Sequence, residues 1–177
     1  MSKILRIIYC QSINVVIICI AISVLLWGVI SYIVTYKNKK DKVWKLLNVF
    51  LSITSIMTII YSTILLRQNQ ITNIQLIPFN SFIEAKQQPE IYRSMLMNFF
   101  LFLPLGLTLP FSLPDRLNRK VLVTVLLGMF LSIIAESLQY IFHLGRAETD
   151  DVICNTLGTA FGTLSYIVAK YIRGRTS

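Results

Sequence analysis

The chain has 177 residues, 55% of them hydrophobic, and carries a net charge of +9, with a mean hydropathy of +0.66. That length suits one domain, but the apolar content and the scarcity of acids exclude an ordinary soluble protein. The basic residues cluster between apolar runs and form no aromatic-interleaved stripe, which excludes a nucleic-acid interface.

Residues 1–12 form a short amphiphilic leader with Lys3 and Arg6. The next 24 residues, 13–36, carry no charge and predict a first span. This run is longer than the core of a secretion signal and no clear cleavage pattern follows it, so it is expected to remain as a span. The basic cluster from Lys37 to Lys45 reads as a cytoplasmic anchor against anionic lipid. A second span is predicted over 43–66. Both spans are rich in Ile and Val, yet a crossing segment must satisfy its backbone internally, which favours helix over the propensity of those residues.

A longer connection, 67–93, contains Ile71-Thr-Asn-Ile-Gln-Leu-Ile-Pro-Phe79. Pro78 holds Ile77 in an extended or turn conformation, and the segment is too apolar for a fully hydrated loop. Two placements fit: a segment in the interface that dips back towards the protein, or a loop covering helix ends. The third span is predicted over 94–109, with Asn98 near its start and a kink at Pro104 of Pro104-Leu-Gly106. A polar turn with Pro114, Asp115, Arg116, Arg119 and Lys120 leads to a fourth span over 121–142 and a fifth over 152–169. Gly158 and Gly162 have the spacing of close helix packing, within one chain or between two copies in a homo-oligomer. Cys10, Cys19 and Cys154 are odd in number and lack metal-like spacing, and no internal repeat is apparent.

The expected architecture is therefore an all-α polytopic membrane bundle of about five helices. It divides into an N-terminal membrane region (1–60), a membrane core (61–170) and a basic cytoplasmic tail (171–177). Counting Lys and Arg at each end of the spans puts eleven of the seventeen on the side of the first and third loops and the C terminus. The positive-inside rule makes that side cytoplasmic and leaves the N terminus outside.

With this orientation, Arg67, Arg93, Asn98, Glu136, Gln139, Arg146, Asp151 and Asn155 gather near the outer face. Glu136 is the sharpest signal, because an acid near a helix centre costs about 3 kcal/mol on insertion scales. Arg67, Arg93 and Arg146 are its candidate partners. Helical spacing places Glu136, Tyr140 and His143 on one face with Gln139 at its edge, and Asp151, Asn155, Gly158 and Gly162 on another. Glu136 is a candidate acid or base, or a structural clamp; His143 fits an interfacial surface or packing role. Glu148, Asp150 and Asp151 could supply oxygen ligands to a divalent cation, but their spacing matches no recognised metal loop, and no cofactor is predicted. The arginines offer planar forks to phosphate or carboxylate.

Asn73-Ile-Gln-Leu-Ile-Pro-Phe79, Asn98 through Pro104-Leu-Gly106, Glu136 with Gln139, and Gly145-Arg-Ala-Glu-Thr-Asp-Asp-Val-Ile-Cys-Asn-Thr-Leu-Gly158 followed by Gly162 together resemble the VanZ-like family of bacterial membrane proteins. The resemblance covers about 61–170. Gln75 stands where the commonest pattern has asparagine, and Asp151 is aligned with the family's acid before the Asn-Thr-Leu-Gly segment. A member of this family is associated with low-level resistance to teicoplanin, a lipoglycopeptide directed at the cell wall. The resemblance thus implies a membrane factor that binds, or modulates access to, a lipid-linked cell-envelope molecule or lipoglycopeptide. An enzyme modifying an envelope precursor through Glu136, and a structural scaffold, are the alternatives. A transporter fits less well, because the chain is short and lacks an inverted repeat.

Overall fold

The computed structural model describes residues 22–37, 41–65, 74–114, 117 and 119–176. Cys10, Cys19, Arg67 and the first part of the predicted first span lie outside the described residues. Helix α1 (Ile22–Thr35) is followed by α2 (Asp41–Ile60), which continues as a wider turn over Tyr61–Leu65. Strand β1 (Ile74–Gln75) and the short helix α3 (Asn80–Glu84) lead to α4 (Pro89–Ser112) and α5 (Lys120–Ile141). Strand β2 (Ala147–Glu148) then precedes α6 (Thr149–Thr176).

Among the described residues, four helices are long and apolar enough to cross a membrane, with α1 a shorter apolar helix beside them. Their surfaces are the reverse of a soluble bundle. On α5 the buried row is Lys120, Thr124, Gly128, Ser132, Ala135, Glu136 and Gln139, while Leu122, Leu126, Phe130 and Ile133 face outward. On α2, Asn48, Ser52 and Ser55 are buried and Leu46, Phe50, Ile53 and Met57 are exposed. Small and polar side chains inside with large apolar ones outside are what lipid solvation selects, because apolar residues gain nothing by leaving lipid for the interior. The protein is a mostly α-helical, multi-pass membrane bundle.

Backbone proximity holds the centre. Any side-chain carbon on Gly106 would strike the Thr159 carbonyl, one on Gly158 the Phe99 carbonyl, and one on Gly162 the Leu103 carbonyl. Gly158 and Gly162 are therefore spent on packing α6 against α4 within one chain. These contacts make α4 and α6 run in the same direction. Gly128 meets Thr159 and Ser132 meets Asn155, so α5 runs against α6. Ser52 Oγ donates to Thr108 Oγ1 at 2.9 Å, and Ile59 joins the apolar cluster of Phe102 and Leu105, so α2 runs against α4.

Two helices extend beyond their predicted spans. Pro89 begins α4 at a position where its missing N–H is not needed. Asp150 and Asp151 lie in the first turn of α6, where carboxylates complement the amide dipoles. Helix α4 continues through both Pro104 and Pro110. The connection from 67 to 93, in its described part, supplies an element that periodicity did not reveal: β1 pairs in parallel with β2, Ile74 opposite Ala147 and Gln75 opposite Glu148. It covers helix ends while Leu76, Ile77, Phe79 and Ile83 remain exposed, an apolar rim suited to the interface.

Candidate functional site

The helix directions bring the C-terminal end of α2, the N-terminal end of α4, the C-terminal end of α5 and the N-terminal end of α6 to one end of the bundle. That end is tied together by carboxylates. Asp150, only 1% exposed, accepts hydrogen bonds from two backbone amides of the other loop: Phe79 N–H to Oδ1 at 2.6 Å and Ser81 N–H to Oδ2 at 2.7 Å. Phe79 sits at a φ of 66°, a left-handed conformation that an L side chain adopts at a cost of roughly 1–2 kcal/mol. Two charge-assisted bonds to a buried acceptor offset that cost. Ser81 Oγ donates to Glu148 Oε2 at 2.6 Å, and Arg146 bridges Glu84 at 3.5 Å and Glu148 at 3.4 Å.

The α5 end is closed by a hydrogen-bonded reversal. Leu144 N–H donates to the Gln139 carbonyl at 2.9 Å and His143 N–H to the Tyr140 carbonyl at 3.3 Å, with His143 at a φ of 55°. This is the Schellman pattern, which satisfies the last carbonyls of a helix. It also corrects the predicted face of Glu136, Tyr140 and His143. The helix ends at Ile141, before His143, and Tyr140 is 44% exposed. The buried companion of Glu136 is Gln139.

Glu136 Oε2 accepts from the Glu148 backbone N–H at 3.1 Å, so this intramembrane acid holds β2 in place. Gln139, fully buried, donates from Nε2 to the Thr63 carbonyl at 3.1 Å, linking α5 to the wide turn that ends α2. Asn155 donates from Nδ2 to Ser132 Oγ at 2.8 Å between α6 and α5. Asp151 is buried beside Asp150. The acid that grips the Pro78-Phe79 loop is therefore Asp150, next to Asp151, the residue aligned with the family's acid.

Arg93 and Asn98 stand apart from these ties. They line a pocket of about 390 Å³ between α2 and α4, together with Ser62, Thr63, Glu90, Ser94, Met97 and Leu101. Asn98 is 9% exposed, and among the described residues its Nδ2 has no hydrogen-bond partner. Arg146, by contrast, is engaged by Glu84 and Glu148. Ser62 and Thr63 were not singled out in the sequence, since hydroxyls on an apolar helix usually bond back to their own backbone.

Among the described residues no group of three or more His, Cys, Asp or Glu side chains is arranged to hold a metal ion.

A family model described as VanZ/LLP1 matches residues 15–170. The chain belongs to the VanZ/LLP1 family. The match takes in all four long helices up to Lys170 in α6, both strands and the carboxylate ties between the loops. VanZ/LLP1 membership links the chain in general terms to the cell envelope and to antibiotic resistance. Neither a curated protein nor a solved structure matches the chain.

Proposed function

We propose that this VanZ/LLP1 protein is a membrane factor that binds the head group of a lipid-linked cell-envelope molecule and thereby alters the access of a lipoglycopeptide such as teicoplanin to its target. The observation that carries this reading is the pocket between α2 and α4. An arginine fork and a buried amide with an unused donor line it together, in a membrane setting where an unsatisfied polar group is costly. The surplus of basic side chains at the other end supports an outer location for this pocket.

In this reading Arg93 and Asn98 contact the ligand. Gln139 shapes the pocket wall through Thr63, and Glu136, Asp150 and Arg146 hold the two loops over the same end. Asp151 and Asn155 support the start of α6, and Arg67 is a further candidate contact. The test is direct binding by the purified full chain in bilayer nanodiscs, alongside teicoplanin susceptibility of cells expressing each variant. Arg93→Gln and Asn98→Ala are expected to weaken head-group binding and restore susceptibility at unchanged abundance. Unchanged binding in both variants rejects the proposal.

A further inference from the structure

A second, apolar crevice of about 400 Å³ lies further along the same two helices, and Leu101 lines both it and the pocket beside Arg93. Its walls include Leu51, Thr54, Ser55 and Thr58 of α2, Leu101, Pro104 and Thr108 of α4, and Trp27 of α1.

The hydroxyls in the crevice do not make it polar. Thr54, Ser55 and Thr58 donate to the carbonyls of Phe50, Leu51 and Thr54 at 3.0, 2.8 and 2.9 Å. With their protons directed at their own helix, they present mostly methyl and methylene surface. From Arg93 to Thr108 the groove follows α4 for about 22 Å at 1.5 Å per residue. That exceeds half of a hydrocarbon core about 30 Å thick, so a chain filling the groove reaches beyond one leaflet.

The head end is selective in a complementary way. Arg93 supplies a fork for phosphate, and Asn98 Nδ2 supplies a donor that has no partner among the described residues. Ser62 and Thr63 donate to backbone carbonyls at 2.9 and 2.7 Å, so their protons are engaged and the donors facing a phosphate are Arg93 and Asn98. Glu90 also lines the pocket, and its carboxylate opposes a head carrying several negative charges.

From this we infer that the groove between α2 and α4 takes a phosphate-bearing lipid with one chain longer than a leaflet, of the polyisoprenyl phosphate class. Its phosphate sits at Arg93 and Asn98, and its chain runs past Leu101 towards Thr108. The inference rests on the head-group reading above and adds the chain and its path.

The test uses the full chain in nanodiscs and four probes: a long polyisoprenyl phosphate, geranyl phosphate, a diacyl phosphatidic acid and inorganic phosphate. The long lipid is expected to bind about fivefold or more tighter than the others; the margin is modest because lipid tails already shelter an apolar chain. Thr58→Trp and Thr54→Trp place bulk in the crevice from exposed positions. Both are expected to remove that advantage and leave geranyl phosphate binding unchanged. Arg93→Gln should weaken the long lipid and geranyl phosphate together.

If neither tryptophan variant affects the long lipid, or if phosphatidic acid or inorganic phosphate binds as tightly, the chain path is overturned. The head-group reading then survives provided Arg93→Gln still weakens geranyl phosphate. If Arg93→Gln changes binding of no probe, the head-group reading falls and the chain path with it.

Discussion

Replacing Asp150 tests whether the two loops are held by one buried carboxylate. Its two oxygens accept the Phe79 and Ser81 amides at 2.6 and 2.7 Å, and the residue is 1% exposed. Hydrogen bonds to a charged group contribute about 1.5–3 kcal/mol each, so Asp150→Ala removes about 3–6 kcal/mol of gross interaction. Release of the loop returns roughly 1–2 kcal/mol by relaxing the left-handed Phe79. The expected net loss is about 2–4 kcal/mol. Asp150→Asn keeps one acceptor but turns an NH₂ towards a backbone N–H, and should lose about half as much. The assay is reversible unfolding in mixed micelles with increasing denaturing detergent, monitored by helix content. Glu84→Gln is the control, because its ion pair with Arg146 is about one-third exposed on each side and should contribute under about 1 kcal/mol. An Asp150→Asn protein within about 0.5 kcal/mol of the unmodified chain would refute the proposed clamp.

Other substitutions separate packing from polar ties. Gly158→Val should destabilise the bundle by about 1–3 kcal/mol or prevent its accumulation, because the added carbon meets the Phe99 backbone carbonyl; retained stability in the same unfolding assay would contradict the close α4–α6 contact. Gln139→Leu should change stability by less than about 1 kcal/mol. It loses the bond to Thr63 but also removes Oε1, which has no hydrogen-bond partner among the described residues, and polar contacts between membrane helices average about 0.6 kcal/mol. A loss several times larger would show that the Thr63 bond is a principal tie. Glu136→Gln keeps an acceptor for the Glu148 amide, so near-normal stability is expected, whereas Glu136→Leu should unfold more readily by about 1–3 kcal/mol. Equal stabilities for those two variants, measured by the same titration, would rule out a holding role for the Glu136 oxygen.

The membrane architecture was legible in the sequence because hydropathy over about twenty residues reports directly on bilayer thickness. The polar residues of the clamped end were legible for the opposite reason: Glu136, Gln139 and Asn155 interrupt apolar runs where a lipid-facing helix would carry none. Helix spacing failed once the helix stopped. Helical spacing sets His143 on the Glu136 face at i+7, but the helix ends at Ile141 and His143 lies in the reversal that follows. The β1–β2 pairing was hidden because two residues per strand produce no period and their partners lie far apart in the sequence. Asp150 and Asp151 could not be told apart by residue type; only the approach of the Phe79 and Ser81 amides distinguishes the gripping acid. The groove along α2 was hidden as well, since Thr54, Thr58, Ser62 and Thr63 read as ordinary polar interruptions until α4 is laid against them.

The proposed function requires the clamped end to face the outside of the cell, and thiol accessibility measures that directly. Cysteines are placed singly at Gln87, beside the clamped loops, and at Lys170, towards the opposite end of α6, after Cys10, Cys19 and Cys154 are replaced by alanine. A membrane-impermeant maleimide applied to intact cells should label the Gln87 position at once and the Lys170 position only after permeabilisation. Labelling at Lys170 in intact cells, with Gln87 protected until the membrane is opened, would contradict the outward-facing site.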